Sequence, residues 1–163
     1  MANFYTDVIQ ADPRYNSPNR VADVALLEPV TRALVQKIIT DAHAHGIELM
    51  VYETYRSQAR QAQLFAQGVS QLKTVGVHHY GLACDIVRNI SGEPSWKWDF
   101  VLLGQLAHAN KLIWGGDWGT PGLHHNFIDS DHVQRCTVGR QASLFNGTWY
   151  PNDAYDPYAD LRV

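Results

Sequence analysis

The sequence lacks several features that would assign it at once to a class of protein. It contains no uninterrupted apolar run of about 20 residues, the length that spans a membrane. Its N-terminal segment MANFYTDVIQADPRYN lacks a basic stretch followed by an apolar one, so it does not resemble a secretory signal peptide. We therefore expect synthesis in the cytoplasm and no insertion into a membrane.

Charge and cysteine are also scarce. The net charge is -3 with neutral histidines, which gives no strong attraction to nucleic acid or to an anionic membrane surface. There are only two cysteines, Cys84 and Cys136, and free thiols are what a cytoplasmic origin favours. Aromatic residues, in contrast, are plentiful, with five Trp and eight Tyr. Aromatic side chains build cores, but they also line grooves that bind saccharides and peptides.

Local patterns predict three helices. Apolar residues recur at helical spacing after Pro29, which suits a first helical turn, and Gly46 is placed to end this helix. Ser57 is a good N-cap for a second helix that ends near Gly68. A third helix is expected over residues 100–109.

Strands are predicted between these helices, in the segments IELMVYETY, TVGVHHYGLACDIV, LIW and DHVQRC. The uneven alternation indicates an α+β fold with a small, largely antiparallel sheet and flanking helices. The length favours one domain over residues 1–163. Residues 1–26 are expected to form an extended arm and residues 147–163 an irregular tail.

One constellation of residues suggests a metal site. His78 and Asp85 are separated by six residues that include a glycine, so both side chains can turn towards one point. A catalytic zinc site uses three protein ligands and an open position for water, and histidine and carboxylate are suitable ligands. The third ligand could be His124, His125 or His132, and the surroundings favour His132.

The segment before His132 supplies a further acid. Asp129 lies three residues before His132, where a carboxylate can reach a water molecule on the metal without binding the metal itself. Such a group accepts the proton of the water in hydrolysis and passes it to the leaving amine. A non-haem iron site is the competing interpretation, but its first histidine and carboxylate are usually much closer in sequence.

These residues resemble the motifs of a known family of zinc peptidases, which includes D-alanyl-D-alanine carboxypeptidases and the L-alanyl-D-glutamate endopeptidases of phage endolysins. The family shares its fold with the hedgehog signalling domain. Its first motif, Ser-x-His-x-x-Gly-x-Ala-x-Asp, is similar to GVHHYGLACD. Its second motif, Asp or Glu followed by two residues and then His, is similar to DSDH. The segments YRSQARQAQLFAQG and LIWGGDW also match, so the resemblance extends from about residue 27 to residue 134.

The resemblance implies a role for each matching residue. His78, Asp85 and His132 would bind Zn²⁺, and Asp129 would be the general base. Arg56 would bind a carboxylate of the substrate, which a guanidinium can do in a bidentate manner; a salt bridge at the start of the helix is the alternative.

Two departures from the family pattern affect the candidate substrate contacts. Gly76 replaces the usual serine, and a longer loop between Trp118 and Asp129 adds His124 and His125. His125 and Trp118 are candidate substrate contacts, with packing in the loop and in the core, respectively, as the alternatives.

The resemblance therefore implies a monomeric zinc metallopeptidase that cleaves the stem peptide of bacterial peptidoglycan. An L-alanyl-D-glutamate endopeptidase of the endolysin type, using zinc-bound water, is favoured. A D-alanyl-D-alanine carboxypeptidase and a non-catalytic zinc-containing binding module on the same fold are the alternatives. Such an endolysin would reach the cell wall after release through a holin-type pore. Nucleic acid is not an expected partner.

Overall fold

The computed structural model describes residues 2–119 and 128–161. Its α-helices are α1 (Pro29–Ala44), α2 (Gln58–Ala66), α3 (Val101–Ala109), α4 (Gln141–Phe145) and α5 (Pro157–Leu161). The predicted signals for the first two helices are present. Pro29 opens α1, and the Ser57 hydroxyl accepts a hydrogen bond from the Arg60 amide at the start of α2. Every helix within the described residues is too short or too polar to span a bilayer.

The sheet has five strands, and all of its strand pairs are antiparallel. They are β1 (Leu49–Glu53), β2 (Ala83–Ile90), β3 (Glu93–Ser95), β4 (Ile113–Trp114) and β5 (His132–Gln134). The order across the sheet is β1-β2-β5-β4, and β3 pairs with the far end of β2. The predicted α+β fold with a small antiparallel sheet is therefore confirmed.

The main hydrophobic core lies between one face of this sheet and helices α1 and α3. Cys84 and Val133 are paired across β2 and β5, and both are fully buried in that core. Because side chains alternate along a strand, the next pair, Asp85 and His132, faces the other side of the sheet. The helical layer thus fixes the sheet, and the sheet presents polar residues on its opposite face.

The segment before β2 differs from the sequence prediction. Residues 74–87 were expected to form a strand, but Val77–Tyr80 form a 3₁₀ turn, and β2 begins only at Ala83. Gly81 ends the turn with a φ of +74°, a conformation that side-chain-bearing residues rarely adopt. A Cβ at this position would lie 2.9 Å from the Leu26 carbonyl oxygen, so the close approach also requires glycine.

The two ends of the chain are held against the domain. In place of a fully extended arm, Tyr5–Ile9 form a π-helical turn, and Ile9 is buried with Leu26 and Tyr55. The tail includes α5 and is anchored by Arg135, whose guanidinium is buried and donates to the carbonyls of Asn152 and Tyr155. These contacts join distant parts of the sequence, so local patterns did not indicate them.

Candidate active site

Three predicted ligands converge on the polar face of the sheet. The Nε2 atom of His78 and the Nδ1 atom of His132 each lie 3.3 Å from the Oδ1 atom of Asp85. All three residues are buried, and one potential ligand atom from each lies within 4.8 Å of the others. The three side chains could hold a metal ion between them, and the Asp85 oxygen lies between the two imidazole nitrogens.

Strand register and the 3₁₀ turn bring these residues together. Asp85 on β2 is the direct partner of His132 on β5. His78 comes from the 3₁₀ turn, which the left-handed Gly81 folds back towards the start of β2. Asp85 and His132, which are 47 positions apart in the sequence, therefore become neighbours through one pair of strands.

Hydrogen bonds fix the orientation of both imidazole rings. The Nδ1 atom of His78 lies 2.7 Å from the carbonyl oxygen of Thr54, and the Nε2 atom of His132 lies 2.8 Å from Oε1 of Gln134. Both hydrogen bonds form when Nδ1 of His78 and Nε2 of His132 carry the proton and donate it. The other nitrogen of each ring then presents a lone pair to the site, as a metal ligand must.

The central oxygen fits a bound cation. Asp85 Oδ1 is buried and has no hydrogen-bond partner within the described residues. Burial alone would raise the pKa of Asp85, but His78, His132 and Arg56 outweigh burial and hold this pKa well below its ordinary value. Two neutral imidazoles and one carboxylate form a donor set suited to zinc, with room for a fourth ligand.

Asp129 lies at the edge of this cluster. Its carboxylate is 3.9 Å from Nδ1 of His132, and its side chain is 41% exposed, so it faces both the cluster and the cleft. The Asp129 amide donates to the carbonyl oxygen of Gly115. A Cβ on Gly115 would lie only 2.2 Å from the Asp129 carbonyl oxygen, so this glycine lets the Asp129 backbone approach.

Asp131 is a second acid in the cleft, and the family motif does not select it. It lies in the turn before β5, where strand alternation does not apply, and it accepts a hydrogen bond from the indole nitrogen of Trp96 at 2.9 Å. Burial, followed by the carboxylates of Asp85 and Asp129, raises the pKa of Asp131 to about 9 in the metal-free chain. The two neighbouring acids therefore have different environments.

Arg56 lies beside the predicted ligands. Its Nη2 atom donates to Glu53 at 2.9 Å and to Asp85 at 3.2 Å, so it supports the ligand carboxylate. Arg60, in the first turn of α2, donates to the same Glu53 through Nε at 3.0 Å and lines the cleft. The sequence motif identified only Arg56. The contact between Arg60 and Glu53, which lies on β1, becomes visible only in the structure.

The remaining predicted residues have different positions. Trp118 is buried, and its ring centroid lies 5.0 Å from that of His132 at the cleft wall. His125 and its neighbour His124 lie outside the described residues. His79, expected to be structural, is buried among tyrosines, and Tyr5 and Tyr55 lie within hydrogen-bonding distance of its ring.

The cluster opens into a cleft of about 720 Å³, bounded by β1, α2 and the turn before β5. Tyr52 and Trp96 form one wall, with their ring centroids 4.8 Å apart. Sequence reasoning missed this wall, since Trp96 lies in a segment that looked like an ordinary loop.

Comparisons with known proteins are consistent with the motifs. No family model matches the chain. It is 29% identical to the L-alanyl-D-glutamate peptidase of Listeria phage A118 over 153 residues, which are 91% of this chain and 52% of that protein. The chain thus spans about half the length of this relative. It is also 24% identical to the peptidoglycan L-alanyl-D-glutamate endopeptidase CwlK of Bacillus subtilis, covering 74% of this chain and 81% of that protein.

A solved structure extends the likeness to the fold. The L-Ala D-Glu endopeptidase ChiX of Serratia marcescens is similar with a TM-score of 0.52 and 25% sequence identity. The match covers 72% of this chain and 90% of ChiX. In sequence and in fold, the chain is therefore similar to peptidases named for cleavage between L-alanine and D-glutamate.

Proposed function

We propose that the chain is a zinc-dependent peptidoglycan hydrolase that cleaves the bond between L-alanine and D-glutamate in the stem peptide. The observation that carries this proposal is the convergence of His78, His132 and the unpartnered Oδ1 of Asp85 beside the carboxylate of Asp129. The names of the relatives from Listeria phage A118, Bacillus subtilis and Serratia marcescens support the choice of bond. The cell wall is then the place where the protein acts.

His78, Asp85 and His132 would hold the zinc ion. When bound, zinc polarises a substrate carbonyl and lowers the pKa of water in its coordination sphere to about 7. Thr54 and Gln134 keep both imidazoles in the tautomers that the ion requires. Arg56 holds the second oxygen of Asp85, so the carboxylate offers Oδ1 to the site.

Asp129 would take the proton of the attacking water and return it to the amine of the leaving D-glutamate. Its side chain is 41% exposed and lies beside His132, whereas the Asp85 side chain is 10% exposed and is held by Arg56. A positioned general base contributes about 10²- to 10⁴-fold to such a reaction.

The substrate carries a free carboxylate next to the cleaved bond, and the cleft contains two guanidinium groups to receive it. Arg56 is predicted from the sequence for this role, and two carboxylates already hold it. Arg60 is bonded through Nε, and its two terminal nitrogens have no partner among the described residues. Arg60 therefore supplements Arg56 as a binding group for the substrate carboxylate.

The test is digestion of purified peptidoglycan by the zinc-loaded protein, with mass spectrometry of the products. We expect fragments with a new N-terminal D-glutamate, and a rate about 10²- to 10⁴-fold lower for Asp129→Asn. Asp99→Asn is the matched control, because Asp99 is an exposed aspartate that only caps α3, and its activity should equal that of the wild type. Release of free D-alanine alone would assign the carboxypeptidase activity instead, and no products at all would contradict both.

A further inference from the structure

A second concavity lies on the domain, apart from the metal cluster. The N-terminal segment and the C-terminal tail face each other across a groove of about 820 Å³. We call it the aromatic groove, and its defining residues are Phe4, Tyr5, Tyr80, Phe145, Trp149 and Tyr150. Five of these six residues, all except Tyr80, lie outside the segments that match the family motifs.

The aromatic rings of this groove are held in place and range from the buried Tyr80 to the exposed Phe145, with the other four half-buried. Phe145 is 39% exposed, and its ring stacks on that of Tyr80 with centroids 5.7 Å apart. Tyr150 donates its hydroxyl to the Tyr80 carbonyl oxygen at 2.8 Å. The edge of Tyr155 supports Trp149, with ring centroids 4.9 Å apart. Fixed, exposed rings lose little conformational entropy when a ligand packs on them.

Neutral amides surround the rings. The side-chain oxygens of Asn3, Asn146 and Asn152 accept backbone hydrogen bonds within their own turns. The amide nitrogens of the same three residues have no partner among the described residues, so they are available as donors. Glu28 and Asp153 are the only charged residues that line the described part of the groove, and Arg135 already neutralises Glu28.

This combination identifies the chemistry of a ligand. A pyranose ring presents an apolar face of C–H groups that packs on aromatic rings, and its hydroxyl and acetamido groups need hydrogen-bond partners. A nucleic acid or an anionic lipid surface would require cations, and no Lys or Arg is among the residues that line the groove. We therefore propose that the aromatic groove binds an uncharged saccharide, namely a chain of N-acetylated hexosamines.

Helix α4 borders both the groove and the catalytic cleft. Gln141 at the start of this helix lines the cleft, while Leu144 and Phe145 line the groove. Residues three or four positions apart on a helix have Cβ atoms about 5–6 Å apart. The 3₁₀ turn gives a second connection, with His78 in the cleft and Tyr80 in the groove. The saccharide proposal rests on the proposed function, because the chain of N-acetylated hexosamines in peptidoglycan carries the stem peptide.

The test measures binding rather than cleavage. Tetra-N-acetylchitotetraose is titrated into the zinc-loaded protein, and its dissociation constant is determined by calorimetry. We expect Phe145→Ala to weaken binding about three- to tenfold, as the loss of one aromatic contact predicts. Phe65→Ala is the matched control, because Phe65 is 41% exposed on α2 and lines neither the cleft nor the groove.

Asn152→Asp is a second variant that preserves size and the turn hydrogen bond but removes the free amide donor. We expect weaker binding here as well, and a folded Asn152→Asp protein keeps the test decisive if Phe145→Ala does not fold. Absence of saturable binding by the folded wild type, or equal affinity in the groove variants and in Phe65→Ala, would overturn the proposal. So would a groove that is covered by a second copy of the chain, detected as a dimer that Phe145→Ala dissociates.

The same titration on Asp129→Asn separates this proposal from the proposed function. Because Asp129 does not line the groove, Asp129→Asn should bind the saccharide as the wild type does. Saccharide binding by a wild-type protein that does not cleave peptidoglycan would contradict only the peptidase activity. Cleavage without saccharide binding would contradict only the groove.

Discussion

Replacing Gly81 by alanine tests how the chain places His78 and Asp85 together. Gly81 ends the 3₁₀ turn that carries His78, and its φ is +74°. A Cβ there would lie 2.7 Å from Cδ1 of Ile9 and 2.9 Å from the Leu26 carbonyl oxygen. The Ile9 side chain can move, but the Leu26 backbone is held by its own hydrogen bond to the Asp23 carbonyl. The turn must therefore shift.

Gly46 offers a matched control, because replacing it by alanine measures only the loss of stability caused by the left-handed conformation. Its φ is +78°, and a Cβ there would have no atom within 4 Å. A left-handed conformation costs an alanine roughly 1–2 kcal/mol, so Gly46→Ala should destabilise the protein by about that amount. Gly81→Ala adds a clash of the kind that costs about 1–3 kcal/mol, which gives a total of roughly 2–5 kcal/mol.

The assay is urea unfolding of both variants at one pH with the same zinc concentration, together with a zinc titration by chelator competition. We expect Gly81→Ala to lose about 1–3 kcal/mol more than Gly46→Ala. It should also bind zinc more weakly, because the displaced turn moves His78. Equal losses of stability in the two variants, with equal zinc affinity, would refute the reasoning that the close approach at Gly81 sets the geometry of the site.

Two further predictions concern the support of the site and of the tail. Arg135→Met should lower the free energy of unfolding by about 3–5 kcal/mol, because it leaves the buried carboxylate of Glu28 without its cation. Arg140 forms a more exposed ion pair, so Arg140→Met should lower the free energy of unfolding in urea far less. Equal losses in the two variants would contradict this account. Zinc at about 100 times its dissociation constant should stabilise the protein by about 2.7 kcal/mol and raise Tm by about 5–10 °C in a thermal scan, with reversal by chelator. Gln134→Met should raise the zinc dissociation constant about 10- to 100-fold, since His132 loses its acceptor, and an unchanged constant would contradict that role.

The sequence predicted the parts of the fold that depend on neighbours in the chain. Pro29 and Ser57 mark the starts of two helices because capping is a local interaction. The strand assigned around His78 was wrong, because Gly81 imposes a left-handed residue that the run of apolar and β-branched residues does not reveal. Local sequence patterns determine the helices and strands, whereas the close packing around Gly81 determines where β2 begins.

For the site, the family motifs named His78, Asp85, Asp129 and His132 as candidates, and the fold brings their side chains into one cluster. Their roles as ligands and base stay predictions. The supporting residues could not be read from the sequence. Gln134, for example, looks like any glutamine in a strand until the pairing of β5 places its amide oxygen on His132.

The position of β5 in the sheet also bears on how the protein acquires its site during synthesis. This strand lies between β2 and β4 but comes after both in the sequence. A nascent chain that has reached β4 therefore has an unpaired edge on β2 and no partner for β4. Open strand edges favour aggregation and recruit chaperones, and pairing of strands distant in sequence slows folding. The completed sheet and the completed residue cluster arise together, so a chain synthesised only as far as β4 lacks both His132 and Asp129.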